Sequence, residues 1–151
     1  MPLVDDELDG LTYKVIGCAM HVHNAMGPGL KEEHYEEALA QELLNAEIPF
    51  ERQSKVQVCF DETCVGHLIL DLLVAEQLVV EFKARQWLLT DDELGQVITY
   101  LVASSLNVGL LINFGRKSLD FKRVFPPKKI DEYRSRVGRY LVRPQDPDSR
   151  P

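Results

Sequence analysis

Long apolar runs are missing from this sequence. Its purely apolar stretches are short, as in Leu68-Ile69-Leu70, against the roughly 20 residues that cross a bilayer as a helix. Cysteine is scarce: Cys18, Cys59 and Cys64 form neither an even disulfide framework nor a CxxC pair of the kind that holds zinc. The opening MPLVDDELDG is acidic where a secretory signal would be basic, and no apolar segment follows it. There is no internal repeat and no low-complexity tract. These absences exclude a secreted disulfide-stapled mini-protein, a helical membrane protein and a disordered chain, and they predict a domain in the reducing cytoplasm.

What is present is a chain of 151 residues, 45% hydrophobic, enough for one domain with a sizeable core. A single domain is expected over residues 1–143, with a disordered stretch, PQDPDSRP, at 144–151. The net charge is −7, which argues against coating nucleic acid by bulk electrostatics. That charge is unevenly spread. Residues 1–115 hold 6 basic and 19 acidic side chains, whereas residues 116–151 hold 11 basic and 5 acidic ones. An acidic body with a basic C-terminal segment can still present one positive face; a solvated tail is the plainer reading.

Periodicity gives the elements. Leu8, Leu11, Val15, Cys18 or Ala19, Val22 and Met26 recur at helical spacing over about 5–26, and Gly27-Pro28-Gly29 stops that helix. A second helix is predicted over about 30–46, with Tyr35, Leu39, Leu43 and Ala46 on one stripe. The period then changes to two, and Val56, Val58 and Phe60 alternate in a half-buried strand over 53–60. Two runs, 66–74 and 78–84, are apolar on both faces and read as central strands. Thr90 and Glu93 form a capping box before a helix ending near Leu106. Strands follow at 108–114 and 120–125. The fold class is α/β, with an order of helix, helix, three strands, helix and one or two further strands.

Charge inside a central strand is costly unless it is compensated, and three charges sit there: Asp71 in LILDLLVA, and Glu81 and Lys83 in VVEFKA. A symmetric three-residue connection at Ala75-Glu76-Gln77 opposes Val74 to Leu78 and therefore Asp71 to Glu81. Opposed residues share a face at a Cβ separation of roughly 4.5–5.5 Å. Lys83, two residues beyond Glu81, joins that face. Facing carboxylates repel, so a compensating cation is expected, and Mg²⁺ is a hard ion bound by one or two carboxylates plus waters and phosphate oxygens. The chemistry this permits is metal-assisted hydrolysis of a phosphodiester, with Lys83 offering its ammonium to a phosphate or an attacking water. The competing reading is an ion pair of Lys83 with Glu81 or Asp71 that decorates a sheet edge.

Other residues weigh less. His21 and His23 lie two apart on a helix and cannot share a metal. His34 is also helical, while His67 falls by alternation on the face of Asp71, as an ordinary strand histidine or an outer group of the site. Cys59 and Cys64 flank the DET turn and read as free thiols. Glu36 lies one turn after Glu32, so either can point to the site; Glu33 and Glu37 read as solvated. Arg85 continues the face of Glu81 and Lys83 and is a phosphate-contact candidate. Trp87 can stack on a base, although a core or interface role is the more ordinary expectation. Residues 128–143 (KKIDEYRSRVGRYLVR) interleave basic side chains with Tyr133 and Tyr140, either a nucleic-acid-binding tail or a short amphipathic helix that packs on this domain or a second copy.

Taken in order, Gly29-x-x-Glu32-x-x-Tyr35, LDLLV, VVEFKA, the helical pair Gln96 and Tyr100, and GLLINFG closely resemble the GxxExxY protein family over about Leu11 to Val124. That family is grouped in the PD-(D/E)xK nuclease superfamily, and the resemblance implies a restriction-endonuclease-like core of helix, three strands, helix and strand at about 30–125. It implies that Asp71 and Glu81 bind Mg²⁺ or Mn²⁺ and that Lys83 orients or activates water. It also implies that Glu32 and Gln96 support them, with Tyr100 and Arg85 as nucleic-acid contacts. One departure is plain: Leu70, not proline, precedes Asp71. The function so implied is a divalent-metal-dependent nuclease acting on DNA or RNA, with a homodimer as a further possibility. The alternative is a catalytically silent module that keeps the fold for nucleic-acid binding or protein assembly.

Overall fold

The computed structural model describes residues 5–127 and 141–142. Helix α1 runs Asp5–Met26 and α2 runs Glu32–Asn45. Strands β1 (Phe50–Phe60), β2 (Thr63–Val74) and β3 (Leu78–Lys83) follow, then α3 (Asp91–Ser104), β4 (Val108–Asn113), β5 (Asp120–Val124) and the two-residue β6 (Leu141–Val142). The sheet order is β5-β4-β3-β2-β1-β6. Neighbours are antiparallel except β3 and β4, which are parallel because α3 carries the chain back across the sheet between them. This mixed α/β architecture is consistent with a restriction-endonuclease-like fold.

Each sheet face buries its own core. On one, Val15, Ala19 and Val22 of α1 and Tyr35, Leu39 and Leu43 of α2 meet Leu72, Val74, Leu78, Val80, Phe82, Leu110 and Ile112. On the other, Val97, Tyr100 and Leu101 of α3 meet Leu73, Val79 and Leu111. The central strands β3 and β4 are therefore buried on both sides, as their unbroken apolar runs require. Gly109 permits the close seating of α3: a Cβ there would stand 2.5 Å from Val97 Cγ1.

The predicted elements form with end adjustments. Helix α2 is shorter than the stripe suggested, leaving Ala46 exposed at its end. Strands β1 and β2 are longer, meeting at the Asp61-Glu62 turn, and a register shift at Val58/Cys59 interrupts the β1 alternation, so that Phe60 is exposed. Cys64 is an exposed free thiol opposite Cys59 in the register. Strand β6 was not predicted.

One departure bears on the site. Leu68 and Leu70 pack with the α3-side core, whereas Leu72 and Val74 pack on the other side. In a regular strand all four share a face, so β2 changes phase around Asp71. Gln53, which the β1–β2 register skips opposite Asp71, has φ +52°, a left-handed backbone that marks the distortion on the neighbouring strand. The alternation that put His67 on the Asp71 face is thereby broken; His67 is exposed opposite Gln57. Of the core or interface placement expected for Trp87, the core is excluded, at 55% exposed. The basic stretch 128–143, apart from the backbone of 141–142, and the tail 144–151 lie outside the described residues. Among the described residues no helix is long and apolar enough to cross a membrane.

Candidate functional site

The β2–β3 hairpin pairs Val74 with Leu78, Leu73 with Val79 and Leu72 with Val80. This is the register of the three-residue connection, with Ala75 and Glu76 turning the chain at φ +50° and +58°. Asp71 and Glu81 come next, and there the backbone ladder gives way to side chains. Glu81 Oε1 accepts the Asp71 N–H at 3.0 Å, and Asp71 Oδ2 accepts the Phe82 N–H at 2.9 Å. Each carboxylate takes a donor from the opposite strand, so the strands part without orphaning those amides.

Glu81 is only 3% exposed. Burial, reinforced by the charge of Asp71, pushes its pKa up to about 9, while the Asp71 N–H and the Lys83 ammonium offset part of the rise. A group held in that state is a demand for positive charge: at neutral pH it keeps a proton or accepts another cation. Lys83 is half-buried and makes no ion pair within 4.0 Å among the described residues, which removes the reading of these charges as a closed ion pair at a sheet edge.

Helix α3 closes the site from one side. Tyr100 is buried, its hydroxyl donates to the Ile69 carbonyl at 2.9 Å and accepts from Gln96 Nε2 at 3.2 Å. Burial, then the nearby charges of Glu81 and Asp71, raise its pKa. Tyr100 thus lies within electrostatic reach of both carboxylates, and Gln96, itself exposed, is tied to them through it. At 2% exposure the Tyr100 ring offers a strand almost no surface.

Glu32 arrives by another route. Gly29 adopts φ +107°, open in practice to glycine, and turns the chain into α2. The Tyr35 hydroxyl donates to the Gly27 carbonyl at 2.6 Å and accepts the Leu30 N–H at 3.2 Å, pinning that turn, while its ring stacks on Phe114 at 4.6 Å. The spacing Gly29, Glu32, Tyr35 therefore has a local cause: a turn, its clamp, and between them an exposed glutamate on the first turn of the helix. Glu32 lines a groove of about 590 Å³ with Glu36 and Ala84, the residue after Lys83. Glu36 is engaged with Gln53 at 3.0 Å and Arg52 at 3.4 Å, and Glu37 with Arg52 at 2.6 Å. Glu32 makes no such bond among the described residues.

Sequence reasoning passed over Asn113. It is fully buried at the end of β4, where Oδ1 accepts the Arg85 and Gly115 N–H groups at 2.9 and 3.1 Å and Nδ2 donates to the Trp87 carbonyl at 2.9 Å. An amide closing an otherwise apolar strand was the available signal. Gly115 completes the clamp, since a Cβ there would lie 2.3 Å from Arg85 N. Arg85 Nε lies 2.7 Å from Glu93 Oε1, and Glu93 Oε2 accepts the Thr90 N–H at 2.7 Å. The capping glutamate therefore also restrains the candidate phosphate contact.

A family model for the PD-(D/E)XK nuclease superfamily matches residues 9–124. The chain belongs to that superfamily. Searches of curated proteins and of solved structures return no significant match. Membership implies a nuclease-like function and a nucleic-acid substrate, and PD-(D/E)XK nucleases generally use divalent metals. Among the described residues no three carboxylate, histidine or cysteine groups cluster to hold an ion. Asp71 and Glu81 are two facing carboxylates, a pair that would suit a hard cation completing its shell with waters and substrate oxygens.

Proposed function

We propose that this PD-(D/E)XK protein is a divalent-metal-dependent phosphodiesterase acting on DNA or RNA, of the GxxExxY type. The observation that carries the reading is the juxtaposition of Asp71 and Glu81 across β2 and β3, with Lys83 two residues further along β3 and in no ion pair among the described residues. Asp71 and Glu81 would hold Mg²⁺ or Mn²⁺, which when bound supplies charge neutralisation at phosphorus and a water of lowered pKa. Giving up the Glu81 proton lets both carboxylates act as anions. Lys83 would donate from its ammonium to a non-bridging phosphate oxygen as the new P–O bond forms and the ester P–O bond breaks, the proton of the attacking water passing to solvent and the departing oxygen taking one from solvent. Tyr100 holds β2 by its Ile69 bond and Gln96 holds the Tyr100 hydroxyl, so both position the pair. Glu32 borders the groove beyond Lys83 and acts there on water.

The test is a cleavage panel in Mn²⁺, Mg²⁺ and EDTA over single-stranded, duplex and branched DNA and over RNA, comparing wild type with Lys83→Ala. Cleavage that needs both metal and Lys83 supports the reading; cleavage undiminished in Lys83→Ala and Asp71→Ala overturns it. One observation favours the silent module instead: both carboxylates already accept amide donors, so the pair can persist as a protonated structural contact. That reading predicts no cleavage and no change in Tm with Mn²⁺.

A further inference from the structure

The segment after Lys83 forms a ledge that the hydrolytic centre does not use. FKARQWLLT (82–90) and INFGRKSL (112–119) contain Lys83, Arg85, Arg116 and Lys117 and no carboxylate, within a body that is otherwise strongly acidic. The fold binds the two segments together: Asn113 grips Arg85, Trp87 and Gly115, and Arg116 Nη1 donates to the Gln86 carbonyl at 3.1 Å. Of the carboxylates nearby, Glu93 is paired with Arg85 itself and Asp120 accepts the Leu89 N–H at 3.1 Å, while Asp91 and Asp92 stand exposed at the start of α3 just after the segment. On this clamped backbone Trp87 and Leu88 stand 55% and 60% exposed, and the Arg85 guanidinium lies 5.3 Å from the Trp87 ring centroid.

An exposed tryptophan on a rigid loop removes apolar surface from water only when something covers it. Its place four residues beyond Lys83, among cations in an acidic body, selects the occupant. We infer that Trp87 is a stacking platform for an unpaired base of a single-stranded nucleic acid whose phosphates run past Arg85, Arg116 and Lys117 toward the Asp71–Glu81–Lys83 centre. Few cations are available here, so stacking carries a large share of affinity, and every base offers the π-face it needs. A paired base in a duplex keeps its faces buried against its neighbours and has none to give. The inference names the substrate class of the proposed nuclease and rests on that reading for the direction of the strand, but stacking itself does not require cleavage.

Trp87 is the chain's single tryptophan, so its fluorescence reports the event directly. Titration in EDTA with short oligothymidylate, oligouridylate and a blunt DNA duplex, at one fixed salt concentration, should quench Trp87 with one or both single strands and not with the duplex. By anisotropy of a labelled single strand, Trp87→Ala should weaken binding about 5-fold or more and Trp87→Phe should retain most of it. The substitutions keep the backbone carbonyl that Asn113 holds, so the loop survives them. Unchanged fluorescence with both single strands, equal quenching by the duplex, or wild-type affinity in Trp87→Ala overturns the inference. Metal- and Lys83-dependent cleavage without quenching would sink the platform and leave the nuclease standing; quenching without cleavage on any substrate would do the reverse.

Discussion

Asp71 and Glu81 meet across β2 and β3 where the backbone ladder stops, and each bonds an amide of the opposite strand: Glu81 Oε1 takes the Asp71 N–H, and Asp71 Oδ2 takes that of Phe82. The two carboxyl groups are thus held by the backbone at the point where their charges, once both are ionised, most oppose each other. Those backbone bonds fix the pair, and its repulsion when ionised would favour a cation.

The first consequence is a stability profile. Glu81 has a pKa near 9 in the folded chain and an ordinary value of 4.5, so between these limits the folded state binds more protons than the unfolded one. Stability without metal should therefore fall as pH rises through that window, by at most about 1.4 kcal/mol per pH unit. Below pH 4.5 both states are protonated and the penalty vanishes. Thermal melts in EDTA from pH 5 to 9 should show this decline, and Glu81→Gln should flatten it. A Mn²⁺-induced rise in Tm should be larger at pH 8 than at pH 6 and absent in Glu81→Gln, since cation and proton compete for one group.

Lys83 separates chemistry from folding. It has no ion-pair partner within 4.0 Å among the described residues, so Lys83→Ala should change unfolding free energy by no more than about 0.5 kcal/mol. Metal-dependent cleavage should drop at least about 100-fold. Equal losses in both would make it a structural lysine. Urea denaturation beside initial cleavage rates decides.

Tyr35 and Glu32 should part in the same way. Tyr35→Phe keeps the ring on Phe114 but strips the hydroxyl from the Gly27 carbonyl and Leu30 N–H, at a cost of about 1–2 kcal/mol. Glu32→Ala should leave stability within about 0.5 kcal/mol and lower cleavage. Paired denaturation curves and rates measure both.

The clamp behind the ledge should be intolerant. Gly115→Ala forces a methyl against the backbone of Ala84 and Arg85 and should destabilise by about 1–3 kcal/mol. Asn113→Ala leaves two amides and a carbonyl without their partner, at about 1–3 kcal/mol for each group left dry. In both variants Trp87 fluorescence should shift toward that of free tryptophan, as the loop is released.

Much of this was legible in the chain because the relevant physics is local. Helix periodicity placed α1 at its observed bounds, the Gly27-Pro28-Gly29 break set the entry to α2, and the length of the β2–β3 turn sufficed to oppose Asp71 and Glu81. Two expectations met their limits in the same way. Uninterrupted alternation set His67 on the Asp71 face, and the distortion at Asp71 and Gln53 breaks that alternation, leaving His67 as the ordinary exposed strand histidine that was the plainer reading. Trp87 was expected in the core or at an interface; the core is excluded by its 55% exposure, and what holds its loop is Asn113, 26 residues away.

Sequence alone determined where the three helices and the first five strands form and which charges enter the central strands, because period, turn length and the cost of burying charge are properties of near neighbours. Tertiary structure alone decided what surrounds that pair: the phase change in β2, the approach of Tyr100 to the carboxylates, the joining of Glu32 and Ala84 in one groove, and the grip of Asn113 on the loop after Lys83. These are contacts between segments far apart in the chain, and no local propensity encodes them; they exist only once both sheet faces have been packed.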